Sequence, residues 1–93
     1  MAKYRKKPVV IEAVQFDINN PEPAVEFAQG LFRPLSIEDR VDDPEIVAEV
    51  WDRLHATWVG VFNHQWIIKG VQGEFYPCED SVFRDTYEPV VES

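Results

Sequence analysis

The sequence contains a single cysteine, Cys78, so no disulfide bond within the chain can hold the fold together. The 93 residues must therefore fold around a hydrophobic core, and a chain of this length has room for only one core of useful size. The apolar fraction of 45% is sufficient for such a core and too high for a disordered chain. We predict one domain spanning residues 1–93, and the small size favours a homo-oligomer in which a second copy covers more surface.

Charge is distributed unevenly along the chain. Nine Lys and Arg against seventeen Asp and Glu give a net charge of -8. Four of the nine cations lie in the first seven residues: Lys3, Arg5, Lys6 and Lys7. The acidic remainder repels phosphate backbones over a Debye length of about 8 Å, which argues against general nucleic-acid binding. For the basic segment we expect the solvated start of a strand, with a phosphate or partner contact as the alternative.

Neither a membrane span nor a secretory signal is expected. No apolar run approaches the roughly 20 residues that cross a bilayer. Glu12 interrupts the first apolar stretch after residues 8–11, so the basic start is not followed by the apolar region of a signal peptide. With one unpaired cysteine, the chain fits a reducing cytosol.

The first half of the chain is expected to hold a strand, a short helix and a loop. Residues 8–16 are rich in β-branched side chains and apolar on both faces, which predicts a central strand; Glu12 is then either a buried carboxylate that needs a partner or a surface residue. Residues 21–29 predict a helix that ends at Gly30. The acidic residues 36–43 predict a loop.

Residues 43–54 are ambiguous between helix and strand. Asp43 and Pro44 suit a helix start, and Val47, Val50 and Leu54 recur at helical spacing, so a helix is favoured. The same stretch is rich in β-branched and aromatic residues, and a strand over residues 46–51 is the alternative.

The second half of the chain predicts mainly antiparallel strands. The segments WVGVF, QWIIKG and EFYP read as two or three strands, with a hairpin turn at Asn63 and His64. Asp80 or Ser81 is expected to cap a helix, and residues 89–91 to form a last short strand. The predicted fold class is therefore α+β: a small, mainly antiparallel twisted β-sheet with two or three short helices.

Residues that could carry chemistry are sparse. His55 and His64 are the only histidines; we expect a local hydrogen bond between His55 and Asp52, and a solvent-exposed His64. A metal site would require both histidines, Cys78 and a carboxylate to converge without any short ligand pair. We predict no catalytic residue, no metal and no cofactor, and Cys78 as a small buried hydrophobe.

Two groups of residues are candidates for binding. The turn KGVQG has glycines that expose backbone amides beside a cation, so it is either an anion site or a simple glycine-containing hairpin. Three tryptophans are more than a small core needs, and one exposed beside Tyr76 would mark an interface or a stacking pocket. The predicted binding residues are Lys69, Gly70, Gly73, Glu74, Tyr76, Trp58 and Trp66.

Two stretches, YRKKPVVIEAVQF at residues 4–16 and QWIIKGVQGEFYPCEDSVFRDTYEPV at residues 65–90, resemble a widespread family of small uncharacterised bacteriophage and prophage proteins. The segment WDRLHATWV at residues 51–59 is similar to the version found in phages of actinobacteria. The resemblance covers about half of the chain and implies a phage gene product made in the host bacterial cytoplasm. It brings no established reaction and no catalytic residues, and residues 21–50 depart from its pattern.

Three functions are then open. The favoured one is a non-enzymatic phage accessory protein that binds a host protein, or a small ligand such as a signalling molecule, with an acidic body suited to a basic host surface. The second is a small hydrolase or ligand-sequestering protein that uses Glu12, His55 and Lys69 in a dimer cleft. The third is a minor virion or assembly component.

Overall fold

The computed structural model describes residues 1–5 and 7–91, and these form two antiparallel sheets of three strands each with two short helices. The α+β class is therefore confirmed. The elements in chain order are β1 (Glu12–Gln15), α1 (Glu22–Phe27), β2 (Phe32–Pro34), a 3₁₀ turn (Ile37–Asp39), β3 (Ile46–Asp52), β4 (Thr57–Phe62), β5 (Trp66–Lys69), β6 (Phe75–Cys78) and α2 (Asp80–Thr86). Sheet 1 has the strand order β1-β5-β6 and sheet 2 the order β2-β3-β4. No helix in the described part of the chain is long and apolar enough to cross a membrane.

The core lies between the two sheets. Sheet 2 contributes Phe32, Val50 and Val61, and sheet 1 contributes Ile67 and Phe75, all of them buried. Phe16, which directly follows β1, joins the two layers through its ring, whose centroid lies 5.0 Å from that of Phe32. One contiguous apolar cluster thus stabilises both sheets together.

Helix α1 closes one side of this core. Ala24 and Ala28 are buried, and the helix packs against β1 and β2. The chain leaves the helix through Gly30 at a φ of 83°, where glycine avoids the steric penalty of the left-handed region. The predicted helix and its glycine end are confirmed.

The segment predicted as a helix over residues 43–54 is a strand, β3, so the favoured interpretation was wrong and its alternative correct. The helix-start chemistry serves a turn instead, in which Asp43 Oδ1 accepts a hydrogen bond from the Glu45 amide at 2.9 Å. A bulge between Ile46 and Ala48 lets the side chains of Val47 and Ala48 both face the core. The buried residues of β3 therefore do not alternate strictly, and their spacing in the sequence resembles that of a helix.

Strand β1 is shorter than predicted and lies at an edge. It begins at Glu12, because Glu12 is opposite Lys69 at the end of β5 and the chain turns away at Gly70. Glu12 is exposed, and the central strand of sheet 1 is β5.

Two further expectations were wrong. Asn63 and His64 do not join a hairpin, because β4 pairs with β3 whereas β5 pairs with β1 and β6. The turn instead carries the chain from one sheet to the other. Residues 89–91 are exposed and form no strand. Helix α2 is confirmed, although its N-cap is Glu79 and no side chain caps it.

Candidate functional site

The four predicted binding residues of the KGVQG region lie together in the turn between β5 and β6. The Gly70 amide donates to the Glu74 carbonyl at 2.7 Å, and the Gly73 amide donates to the Gly70 carbonyl at 3.0 Å. Gly73 has a φ of 80°, which an L side chain rarely adopts. The glycines are therefore explained by a tight turn.

The Glu74 carboxylate already occupies one exposed amide of this turn, that of Gln72. Glu74 Oε2 accepts a hydrogen bond from the Gln72 amide at 3.0 Å, and the Glu74 carboxylate lies where a side chain at Gly70 would be. The Gln72 carbonyl accepts from the Arg53 guanidinium, which ties this turn to the one between β3 and β4. An external anion would have to displace Glu74, so the turn is a poor anion site.

Trp66 and Tyr76 lie on the face of sheet 1 that points away from the core between the sheets, and α2 packs over this face. The Trp66 ring stacks on Phe83 with centroids 4.1 Å apart, and its Nε1 donates to Asp80 at 2.9 Å. Tyr76 hydrogen-bonds with Tyr87, and burial together with that bond raises the pKa of Tyr76 to about 12. Both aromatics therefore anchor α2 to the sheet and are separated from Trp58.

Asp80 holds the start of α2 in place. Its Oδ1 accepts hydrogen bonds from Trp66 Nε1 and from Arg84 Nε, each at 2.9 Å. The bond from Trp66, followed by that from Arg84, lowers the pKa of Asp80. Hydrogen bonds within the chain therefore account for the position of the Asp80 carboxylate beside aromatic residues, and no ligand is needed to explain it.

Trp58 belongs to a different surface, on sheet 2. It lies opposite Trp51 on β3, and the two rings meet edge to face with centroids 5.5 Å apart. The Arg33 guanidinium lies over the Trp58 ring, 3.9 Å from its centroid. Arg33 is held there by Glu49, with Nη2 and Oε1 2.9 Å apart. The result is an aromatic pair with a pre-positioned cation.

These residues occupy one side of sheet 2, which we call the outer face and define as Arg33, Ile46, Glu49, Trp51 and Trp58. Alternation along the strands directs Val50 and Val61 to the core and the outer-face residues away from it. Helix α1 packs on β1 and β2, and α2 on sheet 1, so neither helix of the described chain covers this face.

Acidic residues surround one end of the outer face. A hollow of about 370 Å³ is lined by Arg33, Glu49 and Asp39 of the 3₁₀ turn, together with Pro34 and Leu35. The adjoining loop adds exposed carboxylates at Glu38, Asp42 and Glu45. The only cation of that loop, Arg40, is directed back to the Leu35 carbonyl at 3.0 Å.

Sequence reasoning singled out Trp58 but missed Arg33 and Glu49 as binding candidates. Their contact follows from the pairing of β2 with β3, where Arg33 is opposite Glu49. That register could be found only once residues 46–52 were recognised as a strand. The signal would then have been an oppositely charged cross-strand pair, Arg33 and Glu49, beside the cross-strand tryptophan pair.

The residues of the predicted dimer cleft are not gathered within one chain. Glu12 and Lys69 are opposite each other on β1 and β5, whereas His55 lies in the turn after β3. His55 Nδ1 is 2.6 Å from Asp52 Oδ2, which confirms the expected local bond and lowers the pKa of Asp52. His64 is exposed, as expected.

Cys78 is half-buried, and burial, followed by the charge of Glu79, raises the pKa of its thiol. A raised pKa reduces the thiolate fraction and therefore the nucleophilicity. Among residues 1–5 and 7–91, no three metal-ligating side chains cluster.

Comparison of the chain with protein-family models, with curated proteins and with solved structures returns no match.

Proposed function

We propose that the chain is a non-enzymatic binding protein that recognises a basic protein surface through the outer face of sheet 2. One observation carries the proposal: the half-buried Trp51–Trp58 pair, with Arg33 stacked upon it, lies on a sheet face against which neither helix of the described chain packs.

The residue types on this face are those that dominate binding energy at protein interfaces. Tryptophan buries a large rigid surface with two rotatable bonds, and arginine offers a planar guanidinium that stacks on aromatic rings and donates several hydrogen bonds. Arg33 is already held against Trp58 by Glu49, so less side-chain entropy is lost when a partner docks. The face is therefore prepared for a partner before it binds.

Charge indicates the chemistry of the partner. Outside the first seven residues the chain has five cations against seventeen anions, and Asp39 and Glu49 line a hollow at one end of the outer face. A basic partner surface would be attracted at long range by the net charge and would meet the aromatic pair beside these two carboxylates. Surfaces that normally contact nucleic acid have this positive character.

The resemblance of residues 4–16 and 65–90 to small phage proteins supports an accessory role in the cytoplasm of a bacterial host. The partner would then be a host protein. Nothing in the positions of Glu12, His55 and Lys69 favours the hydrolase alternative.

The proposal is tested by capture of proteins from an actinobacterial lysate with the wild-type chain and three variants. Trp58→Ala removes the aromatic centre, and Arg33→Ala removes the stacked cation. Val82→Ala is the control, because Val82 is an exposed apolar residue on α2, away from the outer face. We expect one basic protein to be retained by the wild type and by Val82→Ala and lost by the other two.

The captured protein is then purified and titrated by calorimetry. Truncation of a central interface residue costs about 2 kcal/mol or more, which is roughly a 30-fold or larger rise in Kd for Trp58→Ala. Equal affinity of the wild type and Trp58→Ala, or the absence of any protein that depends on Trp58, would contradict the proposal.

A further inference from the structure

Strand β1 begins only at Glu12, although the sequence already favours a strand over residues 8–11. The four residues before it are Pro8, Val9, Val10 and Ile11, of which three are β-branched. In the structure they belong to no strand, and Val10 is 77% exposed. The cause is the length of the neighbour: β5 ends at Lys69, and the chain turns at Gly70, so residues 8–11 have no strand beside them.

No strand of the described chain pairs with the other edge of β1. The order β1-β5-β6 places β1 at the edge of sheet 1, with β5 on one side only. An edge strand presents unpaired backbone groups, and proteins commonly block such edges with charges or proline. Pro8 and Glu12 bound the segment, and Val9, Val10 and Ile11 between them carry neither a charge nor a proline.

The charges of this region are opposite to those of the rest of the molecule. Lys3, Arg5 and Lys7 are exposed and precede the uncharged segment, whereas Glu12 begins β1. When two copies of this edge run antiparallel, the basic residues of one copy pass alongside β1 of the other, near Glu12 of the second copy. The attraction then holds between copies, although each whole chain is acidic.

We infer that two copies of this chain associate through residues 8–12, which pair antiparallel across a twofold axis at Val10, so that Pro8 of each copy lies opposite Glu12 of the other. Such a contact is isologous, uses the same edge on both copies, and closes after two chains. It extends β1 over residues 8–11 and joins the two copies of sheet 1 into one six-stranded sheet. This interface is separate from the outer face of sheet 2.

Light scattering across a concentration series tests the inference. The wild type is expected to show twice the 10.8 kDa mass of one chain at concentrations up to about 1 mM, which would reveal even a weak dimer. Val10→Asp places a charge in the paired edge and is expected to halve the mass. Val41→Asp is the matched control, because Val41 is 83% exposed and the change in net charge is identical; it should leave the dimer intact.

A second variant tests the electrostatic part of the inference. Reversal of three cations in Lys3→Glu/Arg5→Glu/Lys7→Glu should weaken the dimer, as should salt of about 1 M, which shortens the Debye length to about 3 Å. Circular dichroism confirms that each variant is folded. A wild type that is monomeric throughout, or a dimer that Val10→Asp leaves unchanged, overturns the inference. Capture through Trp58 is measured separately, so the two proposals can fail independently.

Discussion

At the scale of single residues, Gln65 is the one buried polar side chain in the described part of the chain. It is 8% exposed and lies between the two sheets at the start of β5. Its Oε1 accepts a hydrogen bond from the Phe62 amide at 2.9 Å, and its Nε2 donates to Glu79 Oε1 at 2.8 Å. One side chain thereby joins the end of β4 to the residue before α2.

We predict that Gln65→Ala lowers the free energy of unfolding by about 1–3 kcal/mol, because it leaves a partly buried amide and a carboxylate without their partner. Urea denaturation measures the change. Gln72→Ala is the control, since Gln72 is exposed, and it should stay within about 0.5 kcal/mol of the wild type. Equal effects of the two substitutions would show that the bonds of Gln65 contribute nothing.

Cys78 allows a second prediction at this scale. Because burial raises the pKa of its thiol, we expect iodoacetamide to alkylate native Cys78 more slowly at pH 8 than the same chain unfolded in urea. Mass spectrometry of timed samples gives both rates. A native rate equal to the unfolded one would mean that the thiol is freely accessible and nucleophilic.

At the scale of elements, the pairing of β3 with β4 depends on a close contact across the strands. An added Cβ at Gly60 would lie 2.9 Å from Ile46 Cγ2, closer than carbon atoms normally approach. The bulge after Ile46 brings its side chain over Gly60. Glycine is therefore required at position 60 by packing and not by its backbone angles.

We predict that Gly60→Ala destabilises the fold by about 1–3 kcal/mol through overpacking. In the presence of Ile46→Ala the same substitution should cost less, because the clashing side chain is gone, and the coupling between the two positions should be about 0.5–3 kcal/mol. Denaturation of both single variants and of the double variant completes the cycle. Strictly additive effects would refute the contact.

At the scale of the whole molecule, stability is limited by different groups at the two ends of the pH range. Asp80 and Asp52 have a lowered pKa in the fold, because hydrogen bonds from Trp66 and His55 favour their charged forms. Their contribution is complete above the ordinary pKa of 3.8 and is lost as the pH falls through the lower folded values. Tyr76 has a raised pKa, so its contribution is complete below 10.0 and is lost as the pH rises towards about 12.

We therefore predict a melting temperature that is level between these limits and falls below pH 3.8 and above pH 10.0. Calorimetry over the pH range measures it. Tyr76→Phe should lower the melting temperature at neutral pH, because the bond with Tyr87 is lost, and should reduce the fall at high pH. An alkaline fall that is the same in Tyr76→Phe would assign it to other groups.

Local sequence patterns were enough to predict the α+β class, the strands at WVGVF, WIIK and EFYP, the glycine-ended helix and the bond between Asp52 and His55. These features depend on local composition, on turn residues and on neighbours within a few positions, so the sequence alone is sufficient to predict them. The two glycines of residues 69–74 likewise indicate a tight turn, which is the simpler alternative to an anion site.

Which strands pair depends on long-range contacts, and the pairing set the position of every candidate residue. A two-residue turn such as Asn63–His64 can close a hairpin or lead the chain into another sheet. The apolar residues at 46–52 fit the spacing of a helix or of a strand, and pairing with β2 and β4 selects the strand. The same selection put Trp66 beneath α2 and Trp58 on the outer face beneath Arg33, although both are tryptophans in predicted strands. Burial and exposure arise from contacts between distant residues, and no local pattern contains them.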